Sequence, residues 1–94
     1  MGATGISSNI SNDSKIDRTP FTDEGGGMWS LDIKGVGGAS ILDESDDFRY
    51  GGKAYSVKVW DKDYYTTGDK PMYGSLNAAK QAAKETLKKL NEEQ

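Results

Sequence analysis

The sequence predicts an α+β fold in which a three- to four-stranded antiparallel sheet is packed by one C-terminal helix, with a disordered N-terminal arm. Alternating apolar and polar residues after position 28 predict the strands, and an apolar stripe at helical spacing after position 75 predicts the helix. Residues 1–27 show neither pattern, are rich in Ser, Asn and Asp, and close on three glycines. We therefore expect a flexible arm over residues 1–27 and a single β-β-β-α domain over residues 28–94.

The arm contains few apolar residues, and Ile16, Pro20 and Phe21 are the candidates for anchoring it on a partner. A segment of this composition buries too little apolar surface to fold alone, so the arm is either a flexible terminus with no role of its own or a segment that orders on a partner.

The strand predictions follow from side chains that alternate between two faces. Four segments carry extended patterns: residues 28–34, 39–43, 48–50 and 53–61. In the last of these, Val57 and Val59 face inward, whereas Lys58 and Trp60 face outward. A tryptophan on the outward face of a small sheet is a candidate contact residue, since Trp and Tyr are favoured anchors in protein interfaces.

The helix prediction begins at Ser75, whose hydroxyl is a suitable N-cap. Five apolar residues then recur at three- and four-residue spacing: Leu76, Ala79, Ala83, Leu87 and Leu90. This stripe is wide enough to cover one face of the sheet.

The composition excludes several classes of function. The 94 residues include no cysteine and no histidine, which removes disulfides, thiolate nucleophiles and the commonest general base and metal ligand. The acidic run at 43–47 lacks the residue order of a calcium loop. We therefore expect a protein that is not an enzyme and that has no catalytic residue, metal or cofactor.

Two further features predict a cytoplasmic location without membrane contact. No apolar run approaches the roughly 18 residues that a membrane-spanning helix needs. The first residues also lack the basic and apolar regions of a signal peptide.

Acidic and aromatic residues form the leading candidate site. The net charge is −3, and several carboxylates are predicted to gather near one edge of the sheet. A surface of this kind would dock on a basic surface of a partner protein, because complementary potentials steer association. The predicted partner-binding residues are Asp43, Glu44, Asp46, Asp47, Trp60, Asp61, Asp63, Tyr64 and Tyr65.

A nucleic-acid-binding module is the alternative hypothesis. Strands followed by a helix that begins near Ser75 have an outline similar to that of plant ethylene-response DNA-binding domains and integrase arm-binding domains. A pI near 4.8 lacks the basic footprint expected of a duplex-binding protein. The residues that would contact phosphates in this alternative are Lys53, Lys58, Lys80, Lys84 and Lys88.

Small size, acidic balance and the segment Tyr73–Lys80 (YGSLNAAK) together resemble small phage or mobile-element accessory proteins. The resemblance implies an inhibitor or adaptor that binds a host protein, and it assigns no functional residue. A homodimer is a further open prediction, because an antiparallel sheet of this kind leaves an edge strand exposed.

Overall fold

The computed structural model describes residues 12–47, 49, 51–66 and 71–92 of the chain. Helix α1 is described over residues 12–18. The elements that follow are β1 (Thr22–Gly25), β2 (Met28–Ile33), β3 (Gly37–Asp43), β4 (Tyr55–Asp61), β5 (Met72–Tyr73) and α2 (Leu76–Glu92). The predicted α+β class, with an antiparallel sheet and a C-terminal helix, is confirmed.

The sheet has five strands in the order β1-β2-β3-β4-β5, so the predicted number of three to four strands is wrong. The two additional strands, β1 and β5, lie at the edges of the sheet. β1 has four residues with no buried side chain and β5 has only two residues, so neither shows a clear alternation of apolar and polar residues. The predicted strand at 48–50 does not form at Arg49, whose backbone N–H donates to the Asp47 carboxylate at 3.0 Å. Phe48 and Tyr50 lie outside the described residues.

The three glycines at 25–27 end β1 and form the turn of the β1–β2 hairpin. Gly25, Gly26 and Gly27 have φ values of +83°, +64° and +80°, a region that glycine adopts without steric cost. The turn pairs Gly25 with Met28 and brings the polar strand β1 onto the edge of the sheet.

Helix α1 packs beside α2, which differs from the flexible arm expected over residues 1–27. Ile16 is fully buried in the core. Lys88 forms a 2.6 Å ion pair with Asp17, and the Lys84 ammonium donates to the backbone carbonyl of Asp17 at 3.0 Å. Residues 12–27 are thus part of the domain, and the part of the predicted arm at 1–11 lies outside the described residues. The buried Ile16 side chain and the contacts of Asp17 with α2 hold this segment against the domain.

The core lies between the helices and one face of the sheet. Ala79, Ala83 and Leu87 of the predicted stripe are buried, and they pack with sheet residues such as Ile41 and Val57. The small alanine side chains let α2 approach β3 and β4 closely. The predicted cap is confirmed, because the Ala78 N–H donates to the Ser75 hydroxyl at 3.1 Å.

Within the part of the chain that the structure describes, no helix has the length and apolar character needed to cross a membrane.

Candidate functional site

The sheet has an inner face, covered by the helices, and an outer face that no other described element covers. The outer face is built from the side chains that alternate with the core residues. The strand register aligns them in three transverse rows: Met28, Leu42, Ser56 and Met72; Ser30, Ser40 and Lys58; Asp32, Gly38, Trp60 and Thr66. An apolar row and a tryptophan row therefore lie on either side of a row of hydroxyl groups.

The apolar row is open on β2 and β3, whereas Ser56 on β4 is buried and Met72 on β5 is half-buried. Met28 and Leu42 are 38% and 40% exposed and face each other across β2 and β3. Contiguous exposed apolar residues on one face are typical of interaction surfaces, whereas scattered single ones are not.

The indole of Trp60 packs on Gly38 of the neighbouring strand. A methyl group at Gly38 would lie 2.7 Å from Cζ2 and 2.8 Å from Cε2 of Trp60. Only glycine therefore leaves room for the ring at this position. The prediction that Trp60 faces away from Val57 and Val59 is confirmed by the register, and the residue is half-buried.

A shallow cavity lies between the apolar row and the tryptophan row; we call it the Trp60 channel. Its volume is about 290 Å³, and its lining residues are Met28, Ser30, Ser40, Lys58, Trp60, Tyr64 and Thr66. A second cavity of about 420 Å³ lies beyond Trp60 and Tyr64, towards Asp32 and Lys34. Trp60 and Tyr64 line both cavities, so these two aromatic residues are central to the open surface.

The turn after β4 holds Tyr64 in an exposed position. Tyr64 has a φ of +67° and is 75% exposed, and Tyr65 is 74% exposed. A large residue in this left-handed region costs of order 1 kcal/mol. Backbone strain of this kind recurs at binding sites, and here it presents an aromatic ring to solvent.

Asp61 stabilises this turn through its carboxylate. The backbone N–H groups of Asp63 and Tyr65 donate to Asp61 Oδ1 at 2.8 and 3.1 Å. The Tyr64 N–H also donates to the Asp61 carbonyl at 2.9 Å. Asp61 therefore positions the two tyrosines, and the direct partner contact predicted for it stays a prediction.

The predicted acidic residues lie at two opposite ends of the β3–β4 pair. The register places Asp43 opposite Tyr55 and Asp61 opposite Gly37. Because each strand residue advances about 3.3 Å, the two groups are about 20 Å apart along the strands. The expected single acidic edge is therefore wrong. A further acidic residue of the loop after β4, Asp69, lies outside the described residues.

One of these two ends is strongly acidic, because the β1–β2 hairpin adds carboxylates to the loop after β3. The Asp43 N–H donates to the Gly27 carbonyl at 2.8 Å, which joins the hairpin turn to this loop. We call this region the acidic end; its carboxylates are Asp23, Glu24, Asp43, Glu44, Asp46 and Asp47. Arg49 and Lys53 are its described cations.

Local hydrogen bonds keep two of these carboxyl groups ionised. Arg49 donates to Asp47 and lowers the pKa of Asp47 to about 2. The pKa of Asp43 is also lowered, mainly by hydrogen bonding to Ser45, with a smaller contribution from nearby Lys53. The acidic end thus keeps its negative charge well below neutral pH.

The lysines of the nucleic-acid hypothesis do not form one surface. Lys58 lies on the outer face, Lys53 lies at the acidic end, and the other three are on α2 in the opposite layer. Two of those on α2 contact Asp17: Lys84 donates to its backbone carbonyl, and Lys88 pairs with its carboxylate. The hydrogen bond to Asp17 also raises the pKa of Lys88.

Lys80 and Lys84 line a separate groove on the helix layer. Its volume is about 410 Å³, and Pro20 and Phe21 form its other side. Phe21 also packs against the core, so this predicted anchor of the arm supports the domain itself.

The described residues contain no group of three or more carboxylates arranged to hold a metal ion.

A comparison with known proteins found no family model that matches the chain, no curated protein with a similar sequence and no solved structure with a similar fold.

Trp60, Tyr64 and Tyr65 were predictable as candidates from the sequence, whereas the rest of the outer face was not. Met28, Leu42 and Met72 join the site only because strand pairing aligns them in one row. Alternation within each strand was the available signal, since it assigns every second residue to the face opposite the core.

Proposed function

We propose that this protein is a non-catalytic binding module that holds a partner protein on the outer face of its sheet. The observation that carries the proposal is the exposed pair of Met28 and Leu42 on the outer face. The exposed Tyr64 and the half-buried Trp60 line the same cavity as Met28. The core of the domain is already formed on the inner face, so these large side chains are not needed there.

The chemistry of the outer face favours a protein as the partner. Tyrosine, tryptophan and methionine are enriched at protein interfaces, and Tyr64, Trp60 and Met28 lie together on this face. A nucleic-acid backbone would require a continuous cationic surface, whereas Lys58 stands alone among these rows.

The inhibitor or adaptor role is part of the same proposal. The resemblance to phage and mobile-element accessory proteins supports it, since such proteins act by occupying a surface of a host protein. In this role the outer face would block or bridge that surface without chemistry of its own.

Site-specific photo-crosslinking tests the proposal in the full chain. A photoreactive residue replaces Ser40, at the centre of the outer face, and a matched variant carries it at the exposed Gln81 on α2. We expect the Ser40 variant to form a discrete covalent adduct with another protein in the cells in which this protein naturally occurs. We expect the Gln81 variant to form none.

Three further results decide the interpretation. In the Ser40 crosslinking background, Tyr64→Ser should lower the adduct yield at least about tenfold, because tyrosine is enriched among interface hot spots, whose truncation costs about 2 kcal/mol or more. Nuclease treatment should leave the adduct intact. Equal adducts from both crosslinking positions, or an adduct that contains nucleic acid, would contradict the proposal.

A further inference from the structure

We infer that the outer face takes a basic amphipathic helix of the partner protein, with its apolar side on the Trp60 channel and its cations against the acidic end. This inference rests on the proposed function and specifies the chemistry of the bound segment. Shape and charge of the outer face support it independently.

The dimensions of the outer face fit one helix. Leu42 and Gly38 are four residues apart on β3, which separates the apolar and tryptophan rows by about 13 Å. Four neighbouring strands extend the face by about 14 Å in the other direction. A helix is about 10 Å wide and advances 1.5 Å per residue, so the face accommodates about three turns of one helix.

The shape of the outer face also suits a helix. The small side chains of Ser30 and Ser40 form a low floor between Met28 on one side and Trp60 on the other. A ridge of large apolar side chains on a helix would fill such a channel. A helix on this face would repeat the arrangement of the inner face, where α2 already covers the same strands.

The distribution of charge selects a basic segment. The acidic end has six described carboxylates and two cations. Strand alternation turns the Asp43 side chain towards the inner face, opposite to Leu42, whereas Glu24 accepts a hydrogen bond from the Ser30 hydroxyl on the outer face. The helix layer has the opposite balance, with six described cations on α1 and α2 against four carboxylates. A cationic segment would therefore be attracted to the outer face and repelled from the helix layer.

Lys58 provides a sensitive test of the sign of the bound segment's charge, because this residue is exposed in the middle of the outer face. Next to a basic segment its charge opposes binding, so Lys58→Glu should strengthen the complex. Next to an acidic segment the same substitution should weaken it.

The experiment uses the full chain and synthetic peptides as probes. The first is a peptide of about 14 residues with leucine and lysine at helical spacing. Two matched peptides replace every lysine by glutamate or every leucine by serine. Anisotropy of a labelled peptide measures affinity, and amide chemical shifts of the protein locate the contact.

We expect the Leu/Lys peptide to bind on the outer face at least about tenfold more tightly than either matched peptide, because both apolar burial and charge contribute. The double substitution Met28→Ser and Leu42→Ser should weaken it about tenfold. Asp46→Lys should weaken it about threefold and Lys58→Glu should strengthen it about threefold, whereas Glu85→Lys on the helix layer should have little effect. A thermal melt checks that each variant remains folded.

Several results would overturn the inference: equal binding of the lysine and glutamate peptides, no binding of the Leu/Lys peptide, chemical shifts confined to the helix layer, or weaker binding after Lys58→Glu. Crosslinking from Ser40 shows whether only the inference about a basic helix is wrong or whether the proposed binding function is wrong too. If the peptides fail while Ser40 still forms its partner adduct, the inference about a basic helix is wrong and the binding role stands. If both fail, the proposed function is wrong as well.

Discussion

Substitution of Gly38 by alanine tests whether the indole of Trp60 rests on the sheet as the structure shows. The added methyl group would lie 2.7 Å from Cζ2 of Trp60, so the ring must move by about 1 Å to restore an ordinary contact. The same methyl group would also meet the backbone carbonyl of Leu31, which strand pairing holds in place. Overpacking of this kind costs about 1–3 kcal/mol, and the backbone contact favours the upper part of that range.

The expected net loss of unfolding free energy for Gly38→Ala is about 2 kcal/mol, because alanine also reduces the entropy of the unfolded chain by up to about 1 kcal/mol. Gly74→Ala is the matched control, since a methyl group there would meet nothing within 4 Å. We expect Gly74→Ala to leave stability unchanged or raise it by up to about 1 kcal/mol.

Urea unfolding measures the stability of both variants. The dependence of the unfolding free energy on urea concentration should be the same in both, so that only the urea concentration at the midpoint changes. In a Trp29→Phe background, Trp60 is the remaining tryptophan of the chain. Its fluorescence emission should shift to longer wavelength when the ring moves away from Gly38. If Gly38→Ala and Gly74→Ala share one midpoint and one emission spectrum, the packing of Trp60 on Gly38 is refuted.

Two further predictions concern the N-terminal helix and the acidic end. Ile16→Ala should lower the unfolding free energy by about 2–4 kcal/mol because the side chain is fully buried, whereas Lys15→Ala, on the exposed side of α1, should change it little in urea titrations. Equal midpoints for these two variants would instead support a loose arm. Asp47 has its pKa lowered from 3.8 to about 2, so its ionised form stabilises the fold above pH 3.8 and this contribution is lost as pH falls towards 2. The stability difference between wild type and Asp47→Asn should therefore be largest at neutral pH and vanish near pH 2 in denaturant titrations; a constant difference would contradict the ion pair with Arg49.

Local periodicity explains which elements were predictable. The alternation around Val57 and Val59 and the stripe from Ala79 to Leu87 each arise from residues a few positions apart. These patterns correctly indicated the faces of β4 and α2. The strand β1 was missed because all four of its residues are exposed, and its place at the edge needs no buried side chain.

The N-terminal helix was missed for a different reason. Within residues 12–18, Ile16 is the only residue that is fully buried, so no repeating apolar pattern exists to detect. Its order depends on contacts with α2, including those of Asp17 with Lys84 and Lys88, which lie far away in the sequence.

The sequence by itself determined the fold class, the covering helix and the outward direction of Trp60, because strand and helix periods are properties of neighbouring residues. Tertiary structure alone decided which of the candidate site residues lie next to one another. Antiparallel pairing of β3 with β4 separated Asp43 from Asp61, and the same pairing brought Gly38 beneath Trp60. Such neighbours depend on the register between distant segments, which is decided by the packing of the whole core rather than by any local pattern.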